Sequence, residues 1–180
     1  GAEMLGIGYA QLQAIKPDLI YCSVAGYSSD TPEAKRPGYD LVIQAEAGLM
    51  AINGEADTPP LKFGVAVVDL MTGMYAAQAV LAALYQRTRT GRGRQIELSL
   101  YDCGIGINGY YALDAMLLGH DTQRYGNAHP SIVPYGLFEA ADGPLIIGVG
   151  NNRQFEAFCR HVIDRPDIFE DPRYATNVER

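Results

Sequence analysis

Asp69 is the side chain whose setting most invites a chemical role. The stretch FGVAVVDLMTGMYAAQAVLAALYQR, residues 63–87, holds no other charged side chain before its closing arginine. At a helix start, a short acceptor side chain can bond the free N–H groups of the first turn, which is worth about 1 kcal/mol. An ionised carboxylate held in this way is also the form that attacks an acyl group. Propensity alone favours the N-cap interpretation, but the two roles are compatible and both stay open.

A second segment, DCGIGINGYY, contains a literal G-x-G-x-x-G at Gly104, Gly106 and Gly109. A dinucleotide site needs this motif between a strand and a helix, with an acidic residue at the end of a second strand about 20 residues on. Here the following segment stays helix-like to Leu118, and Asp121 follows no predicted strand. We therefore favour the alternative that small residues let a helix pack closely.

The arginine-rich stretch RTRTGRGRQ, residues 87–95, could bind phosphate. Basic residues in a last helical turn, followed by glycine, are however typical of a helix C-terminus, where they complement the dipole and the left-handed cap. We favour the capping interpretation here. No metal site is expected, because the three histidines lack ligand spacing and no C-x-x-C occurs.

The composition narrows the classes of partner. The chain has 180 residues, 48% of them hydrophobic, and a formal net charge of -7, so it can bury a core but offers no basic stripe for nucleic acid. Its three cysteines are odd in number and widely spaced, which predicts reduced thiols and a cytoplasmic protein. No membrane helix is expected, because Asp69, Gly73 and Gln78 interrupt the most apolar run.

Strands and helices alternate along the chain, which predicts an α/β fold. The apolar run from about Leu19 to Val24 and the alternating QIELSLY predict strands, and GPLIIGVG predicts a third. Helices are predicted from Asp40 to about Gly54, from Asp69 to the arginine-rich stretch, from Asp102 to Leu118, and after an N-cap at Asn151 or Asn152. The first residues resemble the tail of a helix, so we expect a fragment of a longer protein.

Seven segments occur together in the order and approximate spacing of one known family. They are KPDLIYCSVAGY, RPGYDLVIQAEAGLM, DLMTGMYAAQAVLAAL, TGRGRQIELSLYDC, YGNAHPSIVPYGLF, GPLIIGVGNNRQFEAFC and DPRYATNVER. From about Ile15 to its end the chain resembles the class III CoA-transferases, a family that includes formyl-CoA transferase, the carnitine CoA-transferases and the α-methylacyl-CoA racemases.

The resemblance implies a catalytic role for Asp69. The family carries an aspartate nucleophile at the head of the helix in its D-x-x-T-G-M stretch, and Asp69, Thr72, Gly73 and Met74 match that stretch. It implies CoA transfer from an acyl-CoA to a carboxylic acid through covalent aspartyl intermediates, with no permanently bound cofactor. Backbone N–H groups from Leu70 onward are candidate donors to the oxyanion. A shielding glycine loop would correspond to the stretch around Gly126 and Asn127.

The RPGYD segment matches the part of the family that lines the CoA and acyl pocket. By resemblance, the cofactor-binding residues are Arg36, Pro37, Gly38, Tyr39 and Asp40, with Arg36 contributing charge and Tyr39 lying near the thioester. The racemases resemble GHD here and use the histidine in proton transfer. A tyrosine with an ordinary pKa near 10 is a poor base at neutral pH. Transfer is therefore favoured over racemisation, and a noncatalytic acyl-CoA-binding protein with Asp69 as a cap is the alternative from another class.

The resemblance also implies an architecture. Residues 1–104 would form part of a large Rossmann-like parallel-sheet domain, residues 105–124 a connecting helix, and residues 125–180 part of a smaller α+β domain. Full-length members form a homodimer of interlocked rings and begin with a further Rossmann-like half that carries much of the CoA site. We expect the chain alone, which lacks that half, to be inactive.

Overall fold

The computed structural model describes every residue from Gly1 to Arg180 and shows two compact units. Unit 1 comprises residues 1–53 and 59–123, and unit 2 comprises residues 54–58 and 124–180. The assignment of residues 1–104, 105–124 and 125–180 to the domains of a longer protein stays a prediction.

Unit 1 is a mixed α/β unit, as the alternation of strands and helices predicts. It begins with a short 3-10 helix, Ala2–Leu5. Its further elements in chain order are α1 (Tyr9–Ile15), β1 (Ile20–Ala25), α2 (Asp40–Glu46), α3 (Leu49–Ile52), α4 (Val67–Thr90), β2 (Arg94–Ser99), α5 (Leu100–Ile107) and α6 (Tyr110–Leu118).

The strands β1 and β2 pair in parallel, with Cys22 opposite Ile96. Helix α4 packs on both strands. The C-terminal end of α4 lies near the residues that precede β1, where Arg87 Nη1 donates to Asp18 O at 3.2 Å. The opposite end of α4, which carries Asp69, therefore lies at the carboxyl edge of the sheet. Ligands of parallel α/β sheets bind at that edge.

The core of unit 1 lies between α2, α4 and α5. Ile43 and Val68 are fully buried there, and Tyr27, Ala47 and Leu49 join them. Tight packing explains one glycine of the G-x-G-x-x-G stretch, since a Cβ at Gly104 would lie 2.9 Å from Ala47 Cβ and 3.1 Å from Ile43 Cγ2. This contact supports the close-packing interpretation of that stretch.

Two helices that the spacing predicts as continuous are each broken at a glycine. The helix expected from Asp40 to Gly54 is divided at Gly48, and the one expected from Asp102 to Leu118 is divided at Gly109, whose φ angles are 88° and 56°. A positive φ interrupts a right-handed helix and costs glycine little. The hydrophobic spacing continues across each break, so the sequence pattern misses it.

Helix α4 is the one helix that is long and apolar enough, by length and composition, to cross a membrane. That finding departs from the expectation that its polar residues and glycine disqualify it. In the structure α4 packs against β1, β2, α2 and α5 on one side. Leu70, Met74, Leu81 and Tyr85 are exposed on the other side within this chain.

Unit 2 is built on an antiparallel hairpin of β3 (Tyr135–Ala140) and β4 (Gly143–Gly148), followed by α7 (Asn152–Ala157), a π-helical turn (Phe158–Val162), α8 (Pro166–Glu170) and a 3-10 turn (Pro172–Tyr174). The strand β3 has no clear alternation and is stabilised by pairing with β4, so the sequence did not predict it. The prediction of an asparagine cap is confirmed, because Asn151 Oδ1 accepts from Gln154 N at 2.9 Å. Val149, Phe155 and Cys159 form the core of unit 2.

Candidate active site at the start of helix α4

Asp69 does not cap its helix, so the N-cap expectation is wrong. Helix α4 begins two residues earlier at Val67, with Ala66 as an N-cap that contributes no side-chain bond. The acceptor comes instead from α2, where Asp40 Oδ1 accepts from Val68 N at 2.8 Å and from Asp69 N at 3.2 Å. The Asp69 side chain is therefore released from capping and is exposed within this chain.

Asp40 is held in turn by Gln44, one helical turn later on α2. Gln44 Nε2 donates to Asp40 Oδ2 at 2.6 Å, and Gln44 Oε1 accepts from Phe63 N at 2.7 Å. Gln44 is only 1% exposed, so both halves of its amide are used inside the core. Sequence reasoning missed Gln44, although its spacing of four residues from Asp40 was a signal that the two lie on one helix face.

The environment works against the charge of Asp69. Although Asp69 is exposed within this chain, partial desolvation of its carboxylate by the surrounding atoms, and then the nearby Asp40 carboxylate, raise the pKa of Asp69 above its ordinary value. Desolvation and a like charge both favour the protonated acid. A carboxylate with a raised pKa binds a proton more strongly, so its ionised form is more basic than an ordinary one.

The free N–H groups at the start of α4 are already bonded within the chain. Asp40 takes those of Val68 and Asp69, while Leu70 N donates to Ala66 O at 3.1 Å. The expectation that backbone donors from Leu70 onward bind the oxyanion is thus wrong for Leu70 itself, because its N–H belongs to the helix ladder. Oxyanion donors have to come from other groups.

The D-x-x-T-G-M motif divides between two sides of the helix. Thr72 is buried, and its Oγ1 donates to Val68 O at 2.7 Å, so this residue serves the helix and the core. Asp69, Gly73 and Met74 are exposed.

The backbone of the RPGYD segment passes very close to the chain that leaves β1 at the carboxyl edge of the sheet, at Gly38 and Gly26. A Cβ at Gly26, directly after β1, would lie 2.6 Å from Gly38 Cα, so both positions need glycine. The crossing delivers Asp40 to the start of α4. Tyr39 follows the same path and is 72% exposed, and Pro37 is exposed as well.

The Arg36 side chain interacts with other residues of this chain. Its guanidinium pairs with Glu46 at 2.5 Å and lies 4.8 Å above the Tyr27 ring. The Tyr27 hydroxyl also donates to Glu46 at 2.7 Å, and these two partners lower the pKa of Glu46. The adjoining cavity of about 280 Å³ carries Glu33, Glu46 and Asp102 beside this one arginine, so its net charge is negative. The structure thus brings Asp40 and Asp69 together, whereas Arg36 faces acidic partners, and its CoA contact stays a prediction.

The arginine-rich stretch ends α4 as the capping interpretation predicts. Gly91 has a φ of 67°, and its N–H donates to Arg87 O. Gly126, of the expected glycine loop, lies in unit 2 beside the carboxylate of Glu55.

Comparison with known proteins identifies the family. The sequence matches CoA-transferase family III over residues 1–180, and the chain belongs to that family. It is 40% identical over 173 residues to a succinyl-CoA:glutarate CoA-transferase of Mus musculus, covering 96% of this chain and 39% of that protein. It is 36% identical over 179 residues to an acetyl-CoA:oxalate CoA-transferase of Acetobacter aceti, covering 99% of this chain and 46% of that protein.

Solved structures agree with this assignment. A CAIB/BAIF family protein from Brucella suis superposes with a TM-score of 0.81 at 40% identity, covering 100% of this chain and 47% of that one. A hypothetical protein from Mycobacterium tuberculosis superposes with a TM-score of 0.85 at 32% identity, covering 99% of this chain and 47% of that one. The chain therefore spans less than half the length of the proteins it matches.

Proposed function

We propose that the full-length protein transfers coenzyme A from an acyl-CoA to a carboxylic acid, with Asp69 as the nucleophile. The observation that carries the proposal is the release of the Asp69 carboxylate from helix capping by Asp40. A nucleophile has to be free of internal bonds and still fixed in position. The names of the relatives, which transfer CoA between acids, support the same reaction class.

The proposed reaction balances without an added oxidant, reductant or metal. The Asp69 carboxylate attacks the thioester carbonyl, forming a mixed anhydride and releasing CoA thiolate. The thiolate attacks the aspartyl carbonyl, giving an aspartyl-CoA thioester and the free donor acid. The acceptor carboxylate then attacks the aspartyl carbonyl of this thioester, releasing CoA thiolate and forming a second mixed anhydride. The thiolate attacks the acceptor carbonyl of that anhydride and forms the acceptor acyl-CoA. Cleavage of the second anhydride leaves the Asp69 carboxylate free again, so the enzyme is unchanged.

The residues of this chain contribute position and basicity. Asp40 and Gln44 fix the first turn of α4 and so define where the nucleophile stands. The raised pKa of Asp69, caused by partial desolvation and by Asp40, strengthens the carboxylate as a nucleophile. Tyr39, beside Asp40, takes the place of the racemase histidine, and we assign it contact with the thioester rather than proton transfer.

The remaining parts of the proposal concern the whole protein. CoA enters and leaves as a substrate, and the RPGYD segment, residues 36–40, contributes to its binding. The enzyme works in the cytoplasm as an interlocked homodimer. Several relatives are named for succinyl-CoA as donor, with glutarate and mesaconate as acceptors, so short dicarboxylic acids are the first substrates to try.

The test uses the full-length protein, succinyl-CoA and hydroxylamine as the trap. After tryptic digestion, the mass of the peptide of residues 63–87 is measured by mass spectrometry. Asp69 is the only carboxylate side chain of this peptide, so a hydroxamate that forms only with acyl-CoA locates the covalent intermediate at Asp69. Asp69→Asn should fold and lose both adduct and transfer, while Asp114→Asn, at an exposed helical position, should keep both. Near wild-type transfer by Asp69→Asn would refute Asp69 as the nucleophile. Acyl-CoA binding by the wild-type protein without adduct, transfer or exchange at the acyl α-carbon would favour a binding protein. An unmodified peptide with deuterium exchange at the acyl α-carbon would favour a racemase.

A further inference from the structure

Gly73 is a residue of α4 whose missing side chain is not explained by the fold. It lies inside a 24-residue helix, where glycine destabilises by roughly 0.5–1 kcal/mol relative to alanine. A Cβ built at this position meets no atom within 4 Å. The Gly73 backbone is not among the glycines with positive φ. Neither packing nor backbone geometry within the chain therefore requires glycine here.

Several other glycines of unit 1 have evident reasons. Gly104 lies against Ala47 and Ile43 in the core, and Gly48 and Gly91 adopt positive φ angles. Gly73 has neither feature, and it is exposed. Gly106 on α5 is likewise exposed and open, but Gly73 is set apart by its position on α4, one helical turn after Asp69.

The position of Gly73 relative to Asp69 connects this open surface to the proposed nucleophile. Residues four apart lie on the same helix face, with Cβ atoms about 5–6 Å apart. Side chains on a helix also lean toward its N-terminus, so a residue covers the surface over the preceding turn. A side chain at position 73 would therefore stand over the turn that begins at Asp69, on the same helix face as the carboxylate and about one turn to its C-terminal side.

The neighbours of Gly73 give this surface its chemical character. Leu70 and Met74 occupy the adjacent row of the helix and are 60% and 54% exposed. Together with Gly73 they form an apolar floor next to an ionised carboxylate. A thioester carbonyl has to come within about 3–3.5 Å of the attacking oxygen. An acyl chain that runs from that carbonyl along the helix face toward Gly73 passes over this floor.

We propose that Gly73 is a specificity-determining residue, which leaves room beside Asp69 for the acyl chain of the thioester, with Leu70 and Met74 as the apolar floor under that chain. This inference rests on the proposed function and names where the acyl group lies. A methyl group at position 73 occupies the space of the acyl methylenes, so it discriminates by acyl length.

The test is Gly73→Ala in the full-length protein, assayed with acetyl-CoA and hexanoyl-CoA as donors. The helix should be no less stable, since alanine is the better helix former and no atom is displaced. The kcat/KM for hexanoyl-CoA should fall about tenfold or more relative to that for acetyl-CoA, the usual effect of one methyl group in an apolar pocket. Gly106→Ala is the matched control: this exposed α5 glycine also accepts a Cβ without collision, and its donor preference should stay that of wild type.

Two results would overturn the proposal. One is an unchanged ratio of the two donors in Gly73→Ala, whether both rates hold or both fall. The other is a loss of folding or a change in oligomeric state, which would show that Gly73 accommodates protein. To separate this inference from the proposed function, the binding of both acyl-CoAs is also measured by calorimetry. The single variant Asp69→Asn is compared with the double variant that carries Asp69→Asn and Gly73→Ala. Selective weakening of hexanoyl-CoA binding there supports the acyl site even if Asp69 is not the nucleophile, and equal binding of both thioesters counts against it.

Discussion

Replacing Asp40 by alanine tests most directly how the proposed nucleophile, Asp69, is positioned. The carboxylate accepts two backbone N–H groups of α4 and the buried Gln44 amide. Loss of a helix cap costs about 1 kcal/mol, and a buried donor left without its partner costs about 1–3 kcal/mol. After the change, Gln44 Nε2 keeps only a weak contact with Val65 O at 3.5 Å. We expect Asp40→Ala to lower the free energy of unfolding by about 2–4 kcal/mol.

Urea unfolding of the full-length protein, followed by circular dichroism, measures this loss. Asp40→Asn keeps one acceptor for the start of α4 and should lose less than Asp40→Ala. Asp114→Asn is the control and should stay within about 0.5 kcal/mol of wild type, because it removes a surface charge with no bonded partner. If Asp40→Ala also stayed within about 0.5 kcal/mol, the cap across the two helices would contribute nothing and the account of the site would be wrong.

Two further predictions concern acidity and backbone packing. The proposed reaction uses ionised Asp69, so kcat/KM should rise with pH through the raised pKa of Asp69. Asp40→Asn removes the like charge beside Asp69 and should move the acid limb of the pH–rate profile to lower pH. Partial desolvation, the larger cause, should still keep the pKa of Asp69 above its ordinary value. An acid limb that does not move would contradict the electrostatic interaction between Asp40 and Asp69. Gly93→Ala should prevent stable folding, because its Cβ would collide with Leu19 O where β2 enters the sheet, and a cooperative wild-type melting curve would exclude that collision.

Local sequence signals determined much of the fold and pointed to Asp69. The apolar runs marked β1 and β4, the alternating QIELSLY marked β2, and Gly91 marked the end of α4, because these features depend on neighbouring residues. The family motif led to the proposal of Asp69 as the nucleophile. The breaks at Gly48 and Gly109 escaped, since glycine takes either sign of φ and hydrophobic spacing does not record which one it takes.

Only the tertiary structure decided how Asp69 is used. The sequence pattern makes it a candidate cap for its own helix, but in the structure Asp40 supplies the acceptor instead. Asp40 lies 29 residues earlier in the chain, and the crossing of Gly26 and Gly38 brings it to the same helix start. A contact between residues so distant in sequence depends on how α2 packs against α4. The pairing of Asp40 with α4, the release of Asp69 and the open surface at Gly73 are therefore properties of the assembled fold.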